Sequence, residues 1–254
     1  MTPEYSVRVS KRARRVRLVM SPERGLEVVV PQRFDRRQIP ELVQSKSGWI
    51  ERAAARVSAE EQMRRRRLED DPPRLPERIR LAAVGEEWVV EYRARRGPDR
   101  TGGAKGCAVA RERPGRRLVV TGDLDDADSC RQAVLRWLHR RARRHFVTRV
   151  AEIALRHRLD YGRVSVRQQR TRWASCSRQK TISLNVKLLF IQPELVDYVL
   201  LHELCHTVEM NHSPLFWGRL EAHDPEYQAH RVLLKASGVA VPSWVDHPVV
   251  SPRL

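Results

Sequence analysis

The sequence predicts an α+β protein in which a small β-rich region precedes a core with a short sheet packed on one apolar helix. Within residues 4–31 and 79–121, short segments place apolar side chains at every second position, which is typical of half-buried strands. The chain after Asp126 instead repeats apolar side chains at helical spacing. A largely apolar run from Tyr198 to Val208 is interpreted as a buried helix.

Three segments are predicted along the chain. Residues 4–125 form the β-rich region with one long helix. Residues 126–238 form the core, and residues 239–254, which are rich in proline, form an irregular tail.

Two local patterns refine this organisation. Asp35 is predicted to cap a helix that runs to about Arg67 and that Gly48 interrupts. In the core, residues 163–173 and 180–187 alternate apolar and polar side chains and are predicted to pair as a hairpin.

The apolar run contains the motif H-E-x-x-H, formed by His202, Glu203 and His206. On an α-helix, two histidines four residues apart lie on one face about 6 Å from each other, so both imidazoles can reach one metal ion. Glu203 lies one residue further round, where its carboxylate can take a proton from a water on the metal. The motif sometimes arises by chance, but these polar groups are costly among apolar neighbours unless they are paired or metal-bound. The sequence therefore predicts a metal site.

His212 is the nearest candidate for the third protein ligand that such a site needs. In a straight helix it would lie about 9 Å beyond His206 and point away from it, so the helix must end first. Asn211 tolerates the left-handed conformation that ends helices. Ser213 and Pro214 are typical of the N-cap and first turn of a new helix. We therefore predict a turn at residues 211–212 that brings His212 back to the metal.

The chain has a formal net charge of +18, and arginine supplies 43 of its 49 basic residues. Residues 193–230 are an exception, with seven acidic residues and one basic residue. The most concentrated basic surface is predicted on the helix after Asp126, which carries Arg136, Arg140, Arg143 and Arg144. Such a surface can bind nucleic acid or a nucleotide, whereas a solvated helix face and a codon bias toward arginine explain the same composition.

Four scattered cysteines, none in a C-x-x-C pair, give no sign of a disulfide framework. No apolar leader opens the chain, and no stretch approaches the length of a membrane span. These features predict a cytoplasmic protein with no membrane partner.

The segment HELCHTVEMNHSPLFW, residues 202–217, resembles the YgjP-like metallopeptidase family, relatives of the SprT-like zincins. The resemblance extends to the RWASCS segment at residues 172–177 and to the ISLN segment at residues 182–185. Family members usually have glycine at the position of Ala174 and more often alanine at that of Cys205, and both replacements keep a small side chain. Nearly the whole chain is covered.

This resemblance implies a zincin-like core and a zinc metallopeptidase that acts on peptide or protein substrates. His202, His206 and His212 would hold Zn²⁺ and Glu203 would be the base, while Arg172 is a candidate for contact with the substrate. Two other functions stay open, namely hydrolysis of a nucleotide or another phosphoanhydride on the same site, and proteolysis by a nucleic-acid-associated enzyme of the SprT-like kind.

Overall fold

The computed structural model of the protein describes residues 4–11, 13–70, 73–94 and 107–247. The chain forms two compact units, Met1–Pro72 and Pro73–Leu254. The boundaries that we placed after residues 125 and 238 stay predictions.

The first unit is a three-stranded sheet followed by two helices. Its strands are β1 (Tyr5–Ser10), β2 (Arg17–Ser21) and β3 (Gly25–Pro31). The central strand β3 pairs parallel with β1 and antiparallel with β2. Helices α1 (Ile39–Ser45) and α2 (Ser47–Asp70) follow.

Alternation along β3 buries one face of this sheet against the two helices. The buried residues of this core are Leu26, Val28, Val30, Ile39, Val43 and Ile50. Asp35 caps a 3-10 turn before α1, where its Oδ1 accepts a hydrogen bond from the Arg37 backbone N–H at 3.0 Å. The helical segment breaks at Lys46, two residues before the predicted Gly48, because the Lys46 N–H turns back to the Val43 carbonyl at 3.2 Å.

The second unit begins with a four-stranded sheet crossed by a long helix. The strands are β4 (Arg78–Leu81), β5 (Glu86–Ala94), β6 (Val109–Arg113) and β7 (Arg117–Gly122), in the order β4-β5-β7-β6. Helix α3 (Ala127–His157) begins as predicted at Asp126, whose carboxylate accepts from the Ser129 backbone N–H at 2.9 Å. Its buried side chains, with Trp137 and Phe146 the largest, pack into the main core of this unit.

A second sheet contains β8 (Arg163–Arg167), β9 (Ala174–Cys176) and β10 (Thr181–Asn185), in the order β8-β10-β9. The predicted hairpin is wrong, because β8 runs parallel to β10 and β9 is the antiparallel partner. The Asn185 side chain, which is buried, holds the connection between β8 and β9 by donating to the Gln169 and Arg172 carbonyls at 2.8 and 2.7 Å.

Four further helices complete the second unit, namely α4 (Pro193–Cys205), α5 (Pro214–His223), α6 (Tyr227–Ala236) and α7 (Ser243–Asp246). α4 contacts α3, β9, α5 and α6, so its apolar residues are buried on all sides. The predicted α+β class, with a short sheet on the helix that carries H-E-x-x-H, is confirmed. Within the described ranges, no helix combines the length and apolar character needed to cross a membrane.

A buried arginine joins α3 to α7. The Arg131 guanidinium donates to the Trp244 carbonyl at 2.5 Å and to the Val245 carbonyl at 3.1 Å, and it pairs with the Asp128 carboxylate at 3.2 Å. Arg131→Met is expected to lower the free energy of unfolding by about 1–3 kcal/mol, because the Trp244 carbonyl loses its guanidinium donor and the Val245 carbonyl keeps only the Gln168 amide. The midpoint of urea denaturation measures this change.

Arg143→Met is the matched control on the same helix. Arg143 is exposed, so the expected change in the free energy of unfolding is within about 0.5 kcal/mol. Equal denaturation midpoints for the two variants would show that the Arg131 contacts add nothing to stability.

Candidate metal centre

Helix α4 presents the residues of the H-E-x-x-H motif at its carboxyl end. Gln192 precedes the helix and Pro193 occupies its first turn, where a missing N–H costs nothing. His202 and Glu203 lie in the last turn, and His206 follows as the C-cap residue. The two histidines therefore keep the helical spacing that the sequence predicted.

The helix ends earlier than predicted, and Asn211 is not the cause. α4 stops at Cys205, and Thr207 and Val208 donate to the carbonyls three residues before them, at 3.0 and 3.1 Å. The Thr207 hydroxyl also donates to the Leu204 carbonyl at 2.7 Å. Asn211 does not adopt a positive φ. Tight turns after Cys205, rather than a left-handed residue, reverse the chain toward His212.

The three predicted ligands meet at their Nε2 atoms. The His212 Nε2 lies 3.1 Å from the His202 Nε2 and 3.2 Å from the His206 Nε2. All three atoms lie within 4.8 Å of one another. A tetrahedral zinc site with Zn–N bonds of about 2.0–2.1 Å places its nitrogens about 3.3 Å apart. The spacing of the imidazoles therefore suits one metal ion.

The protonation pattern of the cluster also suits a cation. The His206 Nδ1–H donates to the Glu209 carbonyl at 2.9 Å, which leaves a lone pair on Nε2 in the neutral ring. The His212 Nε2 lies close both to this lone pair on His206 and to the His202 Nε2. A single proton on the His212 Nε2 can form a good hydrogen bond to one of these nitrogens but not to both. Two buried polar atoms beside the cluster, His202 Nδ1 and Glu203 Oε2, have no hydrogen-bond partner. A metal ion would satisfy three converging lone pairs at once.

Burial and mutual repulsion keep the His202 and His212 imidazoles neutral. Burial lowers the pKa of His202 to about 3, with further lowering by His206, His212 and Arg231. The pKa of His212 is also lowered, first by burial and then by His206 and Arg231. Neutral imidazole is the form that binds a metal, so both rings hold the required state at neutral pH.

Glu203 lies beside the cluster and is 6 % exposed. Burial raises the pKa of Glu203 to about 7, while the charge of Arg172 lowers it. The Arg172 side chain is exposed, and its backbone carbonyl accepts a hydrogen bond from the Asn185 side chain. Because its charge acts on Glu203, this predicted substrate-contact residue lies near Glu203. Cys176 lies nearby, and burial, with the Glu203 charge, raises the pKa of its thiol to about 11, which argues against a thiolate nucleophile.

Two aromatic side chains of helix α5 pack against the histidine cluster. Ser213 caps this helix as predicted, its hydroxyl accepting from the Phe216 backbone N–H at 3.3 Å. The Phe216 ring stacks on His206 with centroids 4.4 Å apart, and the Trp217 ring stacks on His212 at 5.3 Å. These contacts fix the orientation of two of the three imidazoles.

Sequence reasoning missed one charged neighbour of the cluster. Arg231, on α6, places its Cζ 4.8 Å from the centroid of the Trp217 ring. No motif singles this residue out, because it belongs to a later helix and is one arginine among many.

The basic helix face is largely occupied by contacts within the second unit. Arg136 and Arg140 donate to the Ala108 and Ala110 carbonyls of the edge of the first sheet, at 2.7 and 3.4 Å. Arg144 pairs with the Glu112 carboxylate at 2.8 Å. Three of the four arginines that we considered for nucleic acid thus serve the fold, and a nucleic-acid partner is not supported.

Comparisons with known proteins identify the family of the chain. A family model described as YgjP-like, metallopeptidase domain matches residues 14–237. No curated protein matches the sequence. The chain is similar to the metallopeptidase zymogen jannalysin of Methanocaldococcus jannaschii, with 24% identity and a TM-score of 0.32 over 35% of this chain and 92% of that chain. Because the family model spans most of its length, the chain belongs to the YgjP-like metallopeptidase family.

Proposed function

We propose that the protein is a zinc-dependent metallopeptidase that cleaves peptide bonds with Glu203 as its base. The observation that carries this proposal is the convergence of three imidazole Nε2 atoms, with neighbouring pairs 3.1 and 3.2 Å apart, beside a buried carboxylate. Family membership supports the peptidase activity.

His202, His206 and His212 would hold the zinc ion. When bound, zinc supplies Lewis acidity, which polarises the substrate carbonyl and makes a water molecule more acidic. Glu209 contributes through its backbone carbonyl, since the bond from His206 Nδ1–H keeps the opposite nitrogen free for the metal.

Glu203 moves the proton. Its unpartnered Oε2 accepts a proton from the attacking water and later delivers it to the nitrogen of the leaving amine. Burial assists this exchange, because a carboxylate that has lost part of its hydration binds a proton more readily than one in water.

The edge of the second sheet offers a place for the peptide. β9 is an edge strand that lies against α4, and its partner in the sheet is β10 on the other side. An extended peptide can add to such an edge through main-chain hydrogen bonds. Arg172, two residues before β9, would then reach a carbonyl or carboxylate of the bound peptide.

Casein hydrolysis by protein purified without chelator tests the proposed function. We expect cleavage that a zinc chelator abolishes and that added zinc restores. A parallel panel of nucleoside triphosphates is expected to give no phosphate release. Phosphate release from the nucleotides without any cleavage of casein would show that the protein is a phosphoanhydride hydrolase and not a peptidase.

A further inference from the structure

Side chains of β6 and α3 line a cavity that contains no residue of the metal centre. The cavity has a volume of about 690 Å³, and its walls are residues 110–112 of β6 and one face of α3 from Trp137 to Val147. On that face Trp137, Arg140, Arg144 and Val147 follow one another at intervals of three or four residues, which places them on one side of the helix. We call this space the arginine cavity.

The rim of the arginine cavity is strongly positive. Four arginines and one acidic residue line it, which is an excess of three positive charges, and they are Arg111, Arg140, Arg143, Arg144 and Glu112. Within the ranges that the structure describes, no acidic side chain pairs with Arg111, Arg140 or Arg143. A cleft lined by charges of one sign attracts ligands of the opposite sign. The cavity therefore favours an anionic ligand.

Glu112 is the one carboxylate at the rim, and it is already hydrogen-bonded there. Its Oε1 accepts from the Trp137 indole N–H and from the Arg144 guanidinium, both at 2.8 Å. Burial tends to raise the pKa of Glu112, but the two hydrogen bonds and the Arg144 charge hold it below its usual value. Glu112 is thus ionised at neutral pH and keeps Oε2 as an acceptor for a ligand.

The surface between these charges is apolar. Val147 is 40 % exposed, and Ala110 and Trp137 lie deeper in the wall. The aliphatic stems of the arginines extend this surface, because only their guanidinium groups need contact with water. A ligand that fills the cavity therefore needs an apolar group as well as negative charges.

A guanidinium that binds the fold at one N–H still has others to offer. Arg140 donates to the Ala110 carbonyl at 3.4 Å, and a guanidinium carries five N–H donors in a planar fork. The fork matches the two oxygens of a carboxylate, so Arg140 can stay on β6 and bind a ligand as well.

A peptide suits these features better than a nucleic acid does. Its carboxylates can form bidentate pairs with the guanidinium groups, and a large apolar side chain between them can cover the apolar wall. Its main-chain N–H groups can donate to the Glu112 carboxylate. The backbone of a nucleic acid offers only phosphates, which this carboxylate repels.

We propose that the arginine cavity binds an acidic segment of another protein, in which two or more carboxylates flank one large apolar side chain. The apolar side chain lies against Val147, and the carboxylates pair with Arg111, Arg140 and Arg143. The volume of the cavity is within the range of about 300–1,000 Å³ that is usual for ligand pockets. The inference does not rest on the proposed peptidase function, since no residue of the metal centre takes part.

Titration of the full chain with the synthetic peptide Glu-Glu-Phe-Glu-Glu, acetylated and amidated at its ends, tests this proposal. Backbone amide resonances of the isotopically labelled protein report both the site and the Kd. We expect saturable shifts at residues 110–112 and 137–147. Glycine in place of the phenylalanine should raise the Kd about 10-fold, because the apolar contact is lost. Glutamine in place of every glutamate should abolish binding.

The double variant Arg111→Gln with Arg143→Gln is expected to raise the Kd by about 10-fold or more, because the peptide loses two of its counter-charges. The matched control is Arg156→Gln with Arg163→Gln, which removes the same charge from two exposed positions on α3 and β8 outside the cavity. The Kd of this control is expected to equal that of the wild type.

The results distinguish a built site from a general effect of positive charge. Absence of saturable shifts at residues 110–112 and 137–147, or an equal rise in Kd for the two double variants, would overturn the proposal. A short oligothymidylate that shifts the same resonances at lower concentration than the peptide would also overturn it, because the ligand would then be a nucleic acid.

Discussion

Glu203→Gln is expected to lower kcat on a peptide substrate by about 10²–10⁴-fold while zinc stays bound. The amide keeps the shape of the side chain but cannot take the proton at Oε2. Glu203 is buried and its Oε2 lacks a hydrogen-bond partner, so the neutral amide is also expected to leave the free energy of unfolding unchanged or higher. Activity, zinc content and the urea midpoint measure the three effects.

Glu194→Gln provides the control for this variant. Glu194 is an exposed carboxylate in the first turn of the same helix, at the opposite end from the three histidines. Its activity is expected to match that of the wild type. Full activity of Glu203→Gln would remove this carboxylate from the mechanism.

His212→Ala is expected to weaken zinc binding by more than about 100-fold, because even loss of a partner outside the ligand set costs 10–100-fold. His212 is the proposed ligand that the chain brings back after α4, and its Nε2 is the atom that approaches both other histidines. Titration with a competing chelator gives the zinc affinity. Activity should fall with zinc occupancy and return only in part at high zinc concentration.

His223→Ala is the corresponding histidine control. His223 lies at the end of α5, where its Nδ1 is 3.1 Å from the Nδ1 of His157, outside the proposed ligand set. Its zinc affinity is expected to be that of the wild type. A wild-type zinc affinity in His212→Ala would mean that another donor completes the site.

Local patterns in the sequence predicted the parts of the site that depend on local geometry. The spacing of His202 and His206 specifies one face of one helix, so it needs no knowledge of the rest of the chain. Ser213 and Pro214 likewise marked the start of α5 through the chemistry of a helix N-terminus. The α+β class followed from the two periodicities of the apolar residues.

Features set by long-range packing could not be predicted in this way. Alternation identified β8 and β10 as strands, but the choice between a hairpin and a parallel pair depends on where Asn185 binds the connecting segment. The end of α4 depends on Thr207, whose hydroxyl and N–H both turn back to the Leu204 carbonyl, and Asn211 is not needed. Arg231 lies over the Trp217 ring because α6 packs beside α4.

The arginine content illustrates the same limit. Net charge alone suggests a surface for polyanions, yet Arg136 and Arg140 satisfy carbonyls at the edge of the first sheet. An exposed sheet edge invites pairing with another chain, and helix α3 covers this one. Charge counted along the sequence therefore left a polyanionic partner open, whereas in the structure two of these arginines cover a sheet edge.

X-ray absorption spectroscopy of the zinc-loaded protein can show whether His202, His206 and His212 hold the metal. We predict one zinc ion per chain with three imidazole ligands at about 2.0–2.1 Å, one light-atom ligand and no sulfur, and a changed spectrum in His212→Ala. A sulfur ligand at about 2.3 Å, or the wild-type spectrum in His212→Ala, would contradict the claim that His202, His206 and His212 hold the metal.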